Sequence, residues 1–240
     1  MSESPDQDGF YQIRHLHTGI RLCFVNIPDF ARRFIPGLDL DTFRRQKQQL
    51  FDSGGPLGLF FSDHDFQRIN RFKVLKKQVE WMAGKIAVKI LAEIQGLSHD
   101  GHTQVAAEES GAPFLTDFPR IPISISHSGD YAVAAMGHPG QRLALDIERV
   151  EAERMRSIMH VAFSDREQAR LSGKSDKDLY LAWTMKEAFL KYIKKGFSEG
   201  LKKVEIMEDR ILYHGETVGD IEISTEFFQD DYAFSLIYRA

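Results

Sequence analysis

One cysteine, Cys23, occurs in the whole sequence. A lone thiol cannot close an internal disulfide, so a disulfide scaffold is excluded and a cytoplasmic setting is expected. No apolar run approaches the roughly 18 residues that span a bilayer, so no membrane partner is expected. The opening stretch MSESPDQDGFYQIRHL has no basic segment followed by an apolar one, so a secretory leader is not expected. Excess positive charge is missing too. A net charge of −4 argues against a globally basic nucleic-acid binder. The loop Gly54-Gly55-Pro56-Leu57-Gly58 lacks the Gly-Lys-Ser/Thr of a phosphate-binding P-loop. Ser126 and Ser128 do not sit in a Gly-x-Ser-x-Gly elbow, and the histidines show no zinc spacing. With 42% hydrophobic and 28% charged residues, the 240-residue chain is long and apolar enough to bury a sizeable core.

What is present is uneven charge. Residues 68–89 carry a local balance of +6, and residues 186–203 one of +4. Two basic segments on an acidic chain fit a polyanionic ligand or an acidic partner; the alternative is two solvated helix faces.

Self-comparison finds a repeat. Phe61-Ser62-Asp63 matches Phe163-Ser164-Asp165 at an offset of 102, which also pairs the only two tryptophans, Trp81 and Trp183, and Lys89 with Lys191. Asp130-Tyr131-Ala132-Val133 matches Asp231-Tyr232-Ala233-Phe234 at an offset of 101. Two similar halves, 1–140 and 141–240, are expected, the first enlarged by inserts at 32–60 and 96–120. Each half opens with strands (20–27; 142–150). Helices then start at the N-caps Ser62 and Ser164, with Asp65 and Glu167 three residues on. Apolar residues at helical spacing predict one long helix through 66–94 and another over 177–195, stopped by Gly196. Alternating Ile121, Ile123 and Ile125 before Ser128-Gly129-Asp130 predict a hairpin of 121–127 and 131–136. Strands and helices segregate, so the expected class is α+β, each half a small antiparallel sheet packed with a long helix. The tryptophans are expected in the core.

Asp146 and Glu148 are two apart on a predicted strand, so both carboxylates share a face, about 7 Å apart. Such a pair can grip a hard cation such as Mg²⁺; a solvated strand face, with 143, 145 and 147 buried behind it, is the plainer alternative. Glu187 could supply a third carboxylate. It stands four residues before Lys191, the favourable order for a helical ion pair. Lys186 and Lys191 could neutralise phosphate, and Ser126-His127-Ser128 at the hairpin offers hydroxyls and an imidazole to one.

Three segments, ISISHSGDYAVAAM, LALDIER and WTMKEAFLKYIKKGF, in this order and spacing, resemble the Sfp-type 4′-phosphopantetheinyl transferases. Together they cover about 121–197; Ser62 to Leu91 and GAPFL at 111–115 resemble the family more loosely. The resemblance implies a pseudo-twofold α+β protein, expected to be a monomer because one chain contains both halves. Its implied activity is Mg²⁺-dependent transfer of phosphopantetheine from coenzyme A to a serine of an apo acyl or peptidyl carrier protein, releasing 3′,5′-ADP. Such carriers serve fatty acid, polyketide or nonribosomal peptide biosynthesis. The same resemblance assigns Asp146, Glu148 and Glu187 to the metal. It gives Ser126, His127, Lys186 and Lys191 to coenzyme A phosphates, and puts Arg68 near the nucleotide phosphates. Glu187 is the implied base and Lys191 the group meeting the departing phosphate. The N-terminal half is expected to supply the coenzyme A contacts and the C-terminal half the metal-binding strand and helix. Two departures stand out: Ala112 where the family often has lysine, and Glu80-Trp81 where it often has a basic residue and a small hydroxyl residue. These raise two rival readings, a non-catalytic carrier-binding module and a metal-dependent nucleotide phosphohydrolase.

Overall fold

The structure, a computed structural model, describes residues 2–5, 9–35, 37, 39–52, 54–97, 103–208 and 210–239. Residues 98–102 and positions 36, 38 and 53 of the two expected inserts lie outside the described residues, as do residues 1 and 6–8 of the opening stretch. The architecture is α+β, built from helices and small antiparallel sheets. Among the described residues, no helix is long and apolar enough to cross a membrane. The chain divides into two compact units, residues 1–106 with 113–139, and residues 107–112 with 140–240.

The first unit opens with strands β1 (Ser2–Pro5), β2 (Tyr11–His15) and β3 (Arg21–Asn26). Helices α1 (Ile27–Phe34), α2 (Leu40–Phe51), α3 (Asp63–Ile69) and α4 (Leu75–Ile94) follow. A short ribbon of β4 (Val105–Ala107) and β5 (Pro113–Leu115) leads to the hairpin β6 (Ile123–Ser128) and β7 (Tyr131–Met136). The sheet order is β1-β2-β3-β7-β6, all antiparallel. Helix α4 buries Val79, Met82, Ile86 and Ile90 in a core shared with Cys23, Val25, Ala132 and Ala134 of the sheet. Gly84 permits this close approach, since a Cβ there would stand 2.8 Å from Ile125 Cγ2.

The single helix expected through 66–94 is two helices. Ser62 caps α3 in a capping box: Asp65 N–H donates to its hydroxyl, and Ser62 N–H donates to the Asp65 carboxylate. The helix ends at Asn70, and the next begins after Val74, whose backbone is extended (φ −114°, ψ 128°). Gln78 holds the break by donating to the Phe72 carbonyl at 2.6 Å. The apolar stripe reads through because Phe66 and Ile69 pack on the same core as α4. At its start, α4 has no side-chain cap and no acidic residue, and Lys76 and Lys77 sit in its first turn.

The second unit runs β8 (Arg142–Arg149), α5 (Ala152–Ala162), α6 (Asp165–Leu171) and α7 (Asp176–Tyr192). Strands β9 (Val204–Met207), β10 (Arg210–Tyr213), β11 (Glu216–Thr217), β12 (Glu222–Phe228) and β13 (Tyr232–Arg239) complete it. The sheets are ordered β12-β13-β8 and β11-β10-β9. Ser164 and Ser175 cap α6 and α7 with capping boxes to Glu167 and Asp178. Helix α7 ends before the expected Gly196: Lys194 turns left-handed (φ 56°) and Lys195 N–H donates to the Leu190 carbonyl at 3.1 Å. Both tryptophans anchor cores, Trp81 stacked on Phe61 and Trp183 against Phe163.

Candidate active site

Strand β8 pairs antiparallel with β13, placing Asp146 opposite Ser235 and Glu148 opposite Ala233. Alternation puts Ala144, Asp146 and Glu148 on one face. Helix α7 covers that face, packing with Ala144, Ala233 and Ile237 and hydrogen-bonding Thr184 Oγ1 to Ser235 Oγ at 2.7 Å. The plainer reading of a solvated face therefore fails: Asp146 is only 4% exposed, and Glu148 is half-buried.

Two residues of α7 look onto this strand. Lys191 reaches across to β8, where its Nζ donates to Asp146 Oδ1 at 2.7 Å and to the Leu145 carbonyl at 3.3 Å. The lysine expected to pair along its own helix thus pairs with the strand. Glu187 is 9% exposed, and its carboxyl is pushed up to about 8. Burial is the main cause, and the neighbouring Asp146 and Glu148 charges add to it, while Lys191 and Arg154 oppose. Arg154, on α5, lies 3.5 Å from Glu148 Oε2. Nothing in the local sequence marks Arg154 as part of this cluster; only the chain's turn after β8 brings it there.

Lys186 is a correction. Its side chain is fully buried, and Nζ donates to Glu167 Oε2 at 2.8 Å and to the carbonyls of Ala162 and Leu201. It also lies over the Phe163 ring. Glu167 in turn accepts from the backbone N–H groups of Ser164 and Ile206, both at 2.8 Å. Five residues turn an α-helix by about 140° beyond a full turn, so Lys186 and Lys191 cannot face the same way. Lys186 binds the secondary structure together and is not available to a phosphate.

The residues assigned to coenzyme A phosphates in the first unit also separate. Ser126 and His127 are successive residues of β6, so their side chains leave opposite faces of the sheet. His127 lies on the α4 side, its Nδ1 3.9 Å from the Glu80 carboxylate. Ser126 is buried on the other face. Arg68 is exposed in the last turn of α3. Beneath it, Lys89 is 3.7 Å from Asp65, and burial pushes Lys85 down to about 8, Asp65 opposing while Lys89 and Arg68 add. Three lysines of the two basic segments, Lys85, Lys89 and Lys186, are therefore interior groups.

Could the acidic strand and helix hold a metal? Among the described residues, no three of His, Cys, Asp and Glu are gathered closely enough to hold an ion alone. The donor chemistry nonetheless fits Mg²⁺. All three carboxylates are hard oxygen ligands, and a divalent cation held by them would relieve their mutual repulsion at Glu187. Mg²⁺ commonly takes one or two protein carboxylates and completes its shell with waters and substrate phosphates.

Residues 142–236, the segment bearing β8, α7 and these carboxylates, match the 4′-phosphopantetheinyl transferase superfamily. Among similar proteins, the L-aminoadipate-semialdehyde dehydrogenase-phosphopantetheinyl transferase of Xenopus laevis is 27% identical over 69% of this chain and 59% of its own length. The 4′-phosphopantetheinyl transferase Sfp of Bacillus subtilis (strain 168) is 28% identical over 58% of this chain and 62% of the relative. The 4′-phosphopantetheinyl transferase psf-1 of Bacillus pumilus is 27% identical over 72% of this chain and 71% of the relative. The chain thus spans about six-tenths of the first two relatives.

Proposed function

We propose that this protein is a working 4′-phosphopantetheinyl transferase that moves phosphopantetheine from coenzyme A to a serine of an apo acyl or peptidyl carrier protein. The observation that carries this reading is the buried meeting of β8 and α7, where Asp146, Glu148, Glu187 and Lys191 converge. A carrier-binding module without chemistry has no use for three repelling carboxylates in one half-buried place, each costly to desolvate. Asp146, Glu148 and Glu187 would hold Mg²⁺, which when bound supplies charge neutralisation to the pyrophosphate of coenzyme A. Glu187 accepts the proton of the carrier serine as its Oγ forms a bond to the β-phosphorus. The bond from that phosphorus to the oxygen of 3′,5′-ADP breaks, and Lys191 meets the charge left on the departing phosphate. Burial keeps the Glu187 carboxyl a stronger proton acceptor than an exposed glutamate.

His127 and Arg68 are the residues of the first unit that we assign to coenzyme A phosphates. The repeated order of capping serine, helix, tryptophan and Asp-Tyr-Ala strand supports reading residues 1–140 and 141–240 as pseudo-twofold repeats. Release of 3′,5′-ADP tests the function. It should require Mg²⁺ and an apo carrier, and it should vanish with a carrier whose serine is alanine. Release that continues without the carrier serine would instead show a phosphohydrolase.

A further inference from the structure

Glu80 departs from the pattern of the family that this sequence resembles, and it is buried. Its side chain is 6% exposed, yet three basic side chains gather on it. Lys77 Nζ donates to Glu80 Oε2 at 3.0 Å, Lys76 Nζ lies 3.8 Å from Oε1, and His127 Nδ1 lies 3.9 Å from Oε2. The exposures run in layers: Lys76 at 72%, Lys77 at 61% and His127 at 38%, over a carboxylate almost sealed from water. A surface carboxylate would be one partner among equals. A buried one beneath exposed cations is an anchor, fixing where they stand while their charge faces solvent.

The two ring nitrogens of histidine are not equivalent. Glu80 lies on the Nδ1 side of the His127 ring, so Nε2 is the nitrogen turned away from the carboxylate. Beside this group, Lys76 and Glu80 line a cleft of about 340 Å³, with Ile27, Pro28, Ala31 and Asp130. The ammonium groups of Lys76 and Lys77 match the carboxylates of Glu80 and Asp130, and with Glu80 buried beneath them the lysines are the charges presented to solvent; a protonated His127 would tip the rim toward an anion.

We propose that Glu80 is a positioning residue, its buried carboxylate holding Lys76, Lys77 and His127 as one cationic rim that takes a phosphate of the coenzyme A donor. The proposal rests on the assignment of His127 to coenzyme A. It reverses the first expectation for an acidic residue near a phosphate, which is repulsion. The carboxylate acts from behind, through the groups it orders.

Calorimetric titration with coenzyme A tests it, using wild type, Glu80→Gln, His127→Ala and the double variant, each checked by its melting curve. Glu80→Gln keeps the side-chain shape, so loss of the charge is what is read. Its dissociation constant for coenzyme A should rise about 5- to 20-fold, with turnover at saturation within twofold of wild type. In the His127→Ala background the same exchange should change affinity less than twofold, because the group it positions is gone. The ring nitrogens of His127, read by NMR in ligand-free protein, should shift between wild type and Glu80→Gln but not with Lys194→Gln. Equal or tighter binding by Glu80→Gln, a full additional loss in the His127→Ala background, or unmoved ring nitrogens would overturn the proposal. Wild-type protein that binds no coenzyme A would overturn the donor assignment itself, which is a different failure.

Discussion

Lys186 and Lys191 differ in almost nothing that a sequence shows, and their roles diverge by rotation about one helix. Exchanging Lys186 for methionine removes the buried ammonium partner of Glu167, which is itself fully buried among backbone donors. Breaking a buried pair in this way costs about 3–5 kcal/mol, and Lys186→Met with Glu167→Gln should recover part of it. Thermal unfolding of the single and double variants reads this directly. Lys191→Met should behave differently. A turnover loss of at least tenfold, about 1.4 kcal/mol, is expected if its charge meets the departing phosphate. Asp146 also loses its bond to Lys191, so the melting temperature should fall without Mg²⁺ and recover in part with it. Unchanged turnover would remove Lys191 from the site. Lys85 offers a pH test of the same kind. Its folded value of about 8 lies below the ordinary 10.5, so between these values the unfolded chain binds more protons and stability rises with pH. Relative to Lys85→Met, wild type should gain up to about 3 kcal/mol between pH 8 and 10.5, as measured by denaturant unfolding. A flat difference would mean that Lys85 titrates as a solvated group.

Elements were legible where the signal is local. The capping boxes at Ser62 and Ser164 need only four residues, and the β6–β7 hairpin needs only alternation and a turn. The break between α3 and α4 was not legible, because the apolar period survives it; the interruption is carried by the Gln78 side chain and the extended Val74. The end of α7 was misplaced for a similar reason. Glycine is the usual left-handed residue, and here Lys194 takes that conformation two residues before Gly196. Gly84 shows a helix interior set by its neighbour. On propensity alone, Gly84→Ala should stabilise α4 by about 1 kcal/mol. The added Cβ meets the stiff, β-branched Ile125 at 2.8 Å, so a net loss of about 1 kcal/mol is expected instead. A higher melting temperature would show that β6 gives way at no cost.

At the scale of the whole molecule, charge counting showed two basic segments but could not show that they are layered. Lys85, Lys89 and Lys186 lie inside, while Lys76, Lys77, Lys194 and Lys202 face solvent. The strand pair Asp146 and Glu148 was legible from alternation. Which face they took was not, since Leu145 and Ile147 are as buried as Asp146, and only the packing of α7 distinguishes the two sides. Ser126 and His127 looked like one phosphate contact because they are adjacent; the pleat of β6 separates them. The central claim is that Asp146, Glu148, Glu187 and Lys191 serve transfer to a carrier protein. Intact-mass spectrometry of an apo carrier, incubated with coenzyme A, Mg²⁺ and this protein, tests it most directly. The account predicts a mass gain of one phosphopantetheine per carrier, lost when Mg²⁺ is chelated and lost with Asp146→Ala although that variant stays folded. A carrier mass that stays unmodified with wild-type protein, or a gain that persists in Asp146→Ala, would contradict it.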